Sequence, residues 1–205
     1  MEPLSPDRHG EGLFRANSVD DGRMWTYLPY GPFASVGEYL DHLESQAADA
    51  SLFPYAIVRP DLGAVGLAAY LRAAPEHGSI EVGHIALSPG LQRTVAATEA
   101  MALMMTHVFD ELGYRRYEWK CDSLNAPSGR AAERLGFRYE GQFRQAAVVR
   151  GRNRDTNWYA ITDGDWPRLR HAFGTWLAPA NFDADGRQRR SLRDLTRPDR
   201  PPAPT

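Results

Sequence analysis

The chain has 205 residues, 42% hydrophobic and 24% charged, with a formal net charge of −2. These figures suit one globular domain with its own core. They exclude the bulk basic charge that draws a protein to nucleic acid or anionic lipid, and no apolar run nears the ~20 residues that span a bilayer. The polar N-terminus MEPLSPDRHGEG does not read as a signal peptide. Cys121, the single cysteine, can neither staple the fold nor build a zinc-like cluster, so a reducing cytoplasm is the expected setting.

Residues 1–23 read as a partly ordered N-terminal segment, with 1–12 the loosest part. A domain over 24–180 follows, and then an Arg/Asp/Pro-rich tail over 181–205 that is expected to be flexible. Within the domain, MWTYLPYGPF at 24–33 is aromatic and broken by Pro29, Gly31 and Pro32, so it forms a shaped loop. Residues 35–49 open on a Ser cap, and Val36, Tyr39, Leu40 and Leu43 are spaced for one helical face. Strands follow at 53–58, 64–72 and 79–87, separated by turns at Asp61-Leu62-Gly63 and 75–78.

The next helix covers about 94–112, with Ala100, Leu103, Met104, His107 and Val108 expected on its buried stripe and Gly113 as its stop. A strand follows at 116–121, and a shorter helix runs from Asn125 to Leu135-Gly136. A hairpin over 137–161 turns at Arg150-Gly151-Arg152, and 165–178 forms a last helix. This order predicts an α/β domain with one sheet and helices on both its faces.

Two stretches carry chemistry. In EVGHIALSPGLQRTVAATE at 81–99, a strand holding one awkward carboxylate, Glu81, meets a Pro-Gly break. The helix beyond starts with small side chains. First-turn amides lack intrahelical partners and the helix dipole favours negative charge there, so small residues let a pyrophosphate reach the backbone. The second stretch is Asn125-Ala126-Pro127-Ser128 with Arg134-Leu135-Gly136-Phe137. Asn and Pro are ordinary helix starters, so capping explains part of it.

Together, in this order, the two stretches resemble the GNAT acetyltransferase superfamily. Gln92-x-x-Val95-x-Ala97 matches its Q/R-x-x-G-x-G/A acyl-CoA loop, and Asn125-x-x-Ser128 with Leu135-Gly136-Phe137 matches its later motif. The strings WTYLPYGPF, SIEVGHIALSP and RRYEWKCDSLNAPS are similar to the branch that includes the ribosomal-protein N-terminal acetyltransferases. Two positions depart from the pattern. Val95 stands where the family usually has glycine, and Ala132 where many relatives carry a tyrosine that protonates the leaving thiolate.

The resemblance implies a mostly antiparallel sheet of about seven strands, with a V-shaped splay between two parallel central strands. It implies acetyl-CoA as donor, no metal, and direct transfer to a primary amine. The backbones of Ile85 and Leu87 would hold the pantetheine, with Asn125 bonding its arm. Gln92, Arg93, Thr94, Val95, Ala96, Ala97 and Thr98 would hold the pyrophosphate. Glu81 matches the family's general base, since an ammonium must lose a proton before it attacks a thioester. Ser128 matches the proton donor to the departing sulfur. A bulge is expected at Gly83-His84, and without one His84 would face away from Glu81. Trp25, Tyr30, His84, Arg152 and Trp158 fall in segments that frame the acceptor pocket.

Each of these residues also has a plain structural explanation: edge glutamate, first-turn serine, hydrophobic cluster or solvated turn. The acceptor is a small molecule or a protein N-terminus, with neither membrane nor nucleic acid as partner and a homodimer allowed. The alternative is a non-catalytic acyl-CoA-binding protein.

Overall fold

The computed structural model describes residues 1–197. A seven-stranded sheet has the order β1-β2-β3-β4-β5-β7-β6. Its strands are β1 (Glu2–Pro3), β2 (Leu52–Arg59), β3 (Gly63–Ala74), β4 (Ser79–Leu87), β5 (Arg116–Asp122), β6 (Arg138–Val149) and β7 (Arg152–Thr162). Neighbours are antiparallel except β4 and β5, which run parallel. Helices α1 (Pro6–Asn17) and α2 (Val36–Ala48) cover one face. The other face carries α3 (Val95–Thr106), α4 (Ala126–Arg134) and α5 (Trp166–Leu177), and a short α6 (Leu192–Thr196) lies against α5 and α4.

Local chemistry accounts for most boundaries. The Ser35 side chain accepts from Glu38 N to start α2, Thr94 accepts from Ala97 N to start α3, and Asn125 accepts from Ser128 N to start α4. One core lies between sheet and α3/α5, built on Tyr117, Met105, Ile161 and Leu169. The second lies under α1 and α2, built on Leu13, Trp25, Tyr39, Leu43 and Leu67.

The pairing of β4 with β5 stops early. Ser79, Ile80, Glu81 and Val82 face Arg116, Tyr117, Glu118 and Trp119, and beyond that β4 stays with β3 while β5 stays with β7. The strand edges from Gly83 onward therefore open a gap. In the same stretch β4 bulges: Ala69 faces Gly83 while Leu67 faces Ala86, and His84 has φ of 50°. Two residues opposite one reverse the alternation of side chains. Ile80 and Val82 face the α3 core, but after the bulge Ile85 and Leu87 take that side.

Three expectations need correction. Residues 6–17 form a full helix rather than a loose segment; glycines at 10 and 12 lower its intrinsic propensity, so packing makes it. Gly10 is itself a close approach, since a Cβ there would sit 2.1 Å from Leu40 Cδ2. Leu103 was expected on the buried stripe of α3 but is 50% exposed, because Met101, Ala102 and Met105 fill the core side. Residues 181–197, expected to be tail, are anchored to the domain: Asn181, Leu192 and Thr196 are buried, while 184–190 are exposed. The rest of that tail, 198–205, lies outside the described residues.

Candidate active site

A cleft of about 430 Å³ begins at the gap between β4 and β5 and runs past the start of α3. Ile85, Leu87 and Trp119 line its inner end, and Arg93, Thr94, Val95, Ala97 and Thr98 its middle. The first turn of α3 is open to it. The Thr94 hydroxyl donates to Leu91 O (2.7 Å) and accepts from Ala97 N (3.2 Å). The amides of Arg93, Val95 and Ala96 find no acceptor among the described residues. The bend into the helix is made by Arg93 in the left-handed region (φ 62°), while Val95 is helical and 40% exposed. A helix start with unpaired amides is where a phosphate binds.

Gln92 and Ala96 do not line the cleft. Gln92 Nε2 donates to Leu87 O (2.9 Å), tying the loop to the end of β4. Asn125 Oδ1 accepts from Ser128 N to cap α4, and its Nδ2 makes no hydrogen bond among the described residues. Ser128 Oγ accepts from the Trp119 indole N–H (3.0 Å), and Trp119 itself lines the cleft. Cys121 is buried, and burial pushes its thiol up; such a thiol is a poor nucleophile.

Through the gap, on the α1/α2 side, lies a charged cluster. Glu81 is 4% exposed. Arg72 Nη1 donates to both its carboxylate oxygens at 2.8 Å, and Lys120 Nζ lies 2.8 Å from Oε2. Lys120 also reaches Glu118 (2.9 Å) and sits 3.7 Å over the ring of Trp158, which stacks on Phe143. A carboxylate offers about four acceptor positions, and these contacts fill three. The remaining position is on Oε1, beside Gly83: a Cβ there would lie 3.8 Å from Oε1 and 2.9 Å from Leu71 Cδ2, so glycine keeps that space clear.

The bulge turns His84 to this same side. Gln46 of α2 contacts His84 Nδ1 at 3.0 Å, and Tyr30 stacks on the imidazole at 5.7 Å. Burial, and then the Arg72 charge, hold His84 below its ordinary value, with Glu81 opposing. His42, 4.2 Å from the Tyr30 ring, is likewise lowered by burial. Burial pushes the Tyr30 phenol up to about 12. Tyr30 Oη, His42 Nε2 and Gln46 Oε1 are buried without hydrogen-bond partners among the described residues. Trp25 packs edge-on against Tyr30, Phe33 and Tyr39.

The 24–33 loop is pinned over this region from two sides. Tyr27 Oη donates to Leu124 O at 2.9 Å, and Arg150 at the hairpin tip donates to Gly31 O. Arg152, by contrast, is exposed at the start of β7, and its side chain makes no hydrogen bond among the described residues.

The structure thus brings Glu81, His84, Tyr30 and Trp158 to one side of the splay and the 93–98 turn to the other. Sequence reasoning missed Arg72, Lys120 and Gln46, which hold the Glu81–His84 pair, and Trp176 at the outer end of the cleft; Arg134 there was noted only as part of the second stretch. Only Lys120 carried a signal, as the sole lysine.

The sheet thus parts beside an open helix start. Comparison with known proteins specifies the class. The acetyltransferase (GNAT) domain matches residues 1–138, and the chain belongs to that family. A GCN5-related N-acetyltransferase from Brucella melitensis is 45% identical, with a TM-score of 0.93 over 95% of this chain and 89% of its own. A probable GNAT acetyltransferase from Chromobacterium violaceum is 43% identical, with a TM-score of 0.75 over 80% of this chain and 83% of its own. The uncharacterised N-acetyltransferase YnaD of Bacillus subtilis is 26% identical over 72% of this chain and 85% of its own. The protein is an N-acetyltransferase of GNAT type, a family whose donor is acetyl-CoA.

Proposed function

We propose that the protein moves an acetyl group from acetyl-CoA directly to a primary amine held on the α1/α2 side of the splay. The observation that carries this reading is the parting of β4 from β5 just past Val82 and Trp119, between the Glu81 cluster and the open turn of α3. The freed strand edge of β4 and the first-turn amides of α3 suit an amide-containing arm and a diphosphate respectively. Glu81 takes the ammonium proton at the Oε1 position beside Gly83. The amine nitrogen then bonds to the thioester carbonyl carbon and the carbon–sulfur bond breaks; the sulfur takes the proton of Ser128, and Ser128 regains one from the second proton that the new amide nitrogen sheds. Arg72 and Lys120 hold the Glu81 carboxylate toward the splay throughout.

The experiment replaces Glu81 with Gln. A positioned base is worth about 10²–10⁴ in rate, so thiol release should fall by that range while calorimetric binding of CoA stays unchanged. Full turnover by E81Q would overturn the role of Glu81. A wild type that binds CoA but releases no thiol with any amine would favour the non-catalytic alternative. The amine panel should hold small amines, a polyamine and peptide N-termini, the last because of the resemblance to the ribosomal-protein branch.

A specific observation favours a second reading for the base: the bulge puts His84 on the Glu81 side, kept neutral by burial. Loss of the acidic limb of the rate profile in His84→Gln, with E81Q fully active, would select it.

A further inference from the structure

The outer end of the cleft is walled by chain that lies beyond the family match, which ends at 138. After α5 the backbone turns at Pro179–Asn181 and returns as a short loop bridged antiparallel between Phe182 and Gln188. Phe182, Gly186 and Gln188 line the same cleft as Thr94 and Ile85.

This loop is held from within. Buried Asn181 donates to Trp176 O (3.0 Å) and Arg190 O (3.2 Å) and accepts from Arg190 N (3.0 Å). The Trp176 indole donates to Gln188 Oε1 (2.8 Å), and its ring meets Phe182 edge-on at 5.4 Å. Downstream, Leu192 is fully buried and Thr196 Oγ1 donates to Arg134 O (3.0 Å), so both ends of the loop are anchored. A loop fixed this way presents Phe182 to the cleft at little ordering cost.

Arg134 faces the same space. Its guanidinium donates to Thr98 Oγ1 (3.1 Å), lies 5.2 Å over Trp176, and has no carboxylate partner among the described residues. A half-buried cation with free donors calls for an anion, and arginine's planar fork suits phosphate. An aromatic face beside it suits a purine, because every base offers a π-surface for stacking. The inner end of the cleft, lined by Ile85, Leu87 and Trp119, has no cation lining it.

We propose that residues 182–188 form a strap that, with Trp176 and Arg134, binds the phosphorylated adenosine end of the donor. The base lies against Phe182 and a phosphate lies on the Arg134 guanidinium. The proposal rests on the acetyl-CoA reading above and adds a subsite to it.

The test compares CoA with 4′-phosphopantetheine, which lacks the nucleotide, by calorimetry on the full chain. Wild type should bind CoA the more tightly. Phe182→Leu keeps the apolar packing and removes the ring, and Arg134→Gln removes the charge. Each should weaken CoA about tenfold and leave phosphopantetheine unchanged. Phe182→Ala should act in the same sense, with thermal melting recorded beside it so that loss of fold is seen separately.

Equal weakening of both ligands, or CoA binding untouched by either substitution, would overturn the strap. So would a wild type that binds phosphopantetheine as tightly as CoA, though the acetyl-CoA reading would survive that result. A wild type that binds neither ligand would remove both.

Discussion

The two sides of the β4–β5 splay use different parts of the chain. On the α3 side, near the splay, the exposed groups are main chain: unpaired amides at the helix start, a strand edge without its partner, and a threonine cap. On the α1/α2 side it rests on side chains: Glu81 between Arg72 and Lys120, His84 between Gln46 and Tyr30, and the aromatic loop behind them. A site made of backbone depends on local geometry and tolerates substitutions such as Val95, whose side chain leaves the amide in place. A site made of side chains changes with every substitution. On the proposed function, the part of the donor site next to the splay is generic, and the acceptor side is where a particular specificity would be written.

If the sides are separable in this way, damage to one should spare the other. Trp25→Ala should have the largest effect on stability. It removes a buried ring contacting three aromatic neighbours and should cost about 3–5 kcal/mol in denaturant unfolding. The surviving folded protein should keep its CoA affinity within about twofold while KM for the amine rises, because binding on the α3 side uses other groups. A matching loss of CoA affinity would show that the two sides act as one unit.

Thr94→Ala is the reciprocal change. Loss of the cap on α3 should cost about 1 kcal/mol and weaken CoA several-fold, leaving the KM for the amine in place. Unchanged CoA affinity would mean that the cap does not organise the first-turn amides.

The smallest effect is a pH dependence confined to the α1/α2 side. Burial lowers both His42 and His84 in the folded protein. Below about pH 6.5 the unfolded chain therefore binds more protons than the folded one. Their contribution is fully present above that value and declines as pH falls toward the lowered folded values. Melting temperature should drop on acidification, and the double variant His42→Phe/His84→Gln should flatten the decline. An unaltered slope would mean that these imidazoles are not the groups titrating.

Much of the fold is written in local pattern. The alternation in SIEVGHIAL sets β4 at Ser79–Leu87, and Ser35 and Asn125 start their helices where caps are expected. The 93–98 turn is legible for the same reason, since small residues after a Pro-Gly break describe an open helix start within a few positions. Elsewhere local pattern is weaker than packing. Helix α1 carries two glycines and forms against α2 and β3, while 181–197 looks like solvated tail and is anchored by Leu192 and Asn181. Val95 is helical, but local pattern does not mark the irregular backbone beside it, which falls at Arg93.

By itself, then, the sequence determined the strands, helices and caps of the central domain, α1 and α6 apart, and which turn exposes amides, because those choices are settled by neighbours along the chain. Only the tertiary structure decided what surrounds Glu81. Arg72 comes from the adjacent antiparallel strand, Lys120 from the parallel one across the splay, and His84 reaches that side through one extra residue in β4. The physical reason is that electrostatics and side-chain facing depend on strand pairing and register, which join residues far apart in the chain.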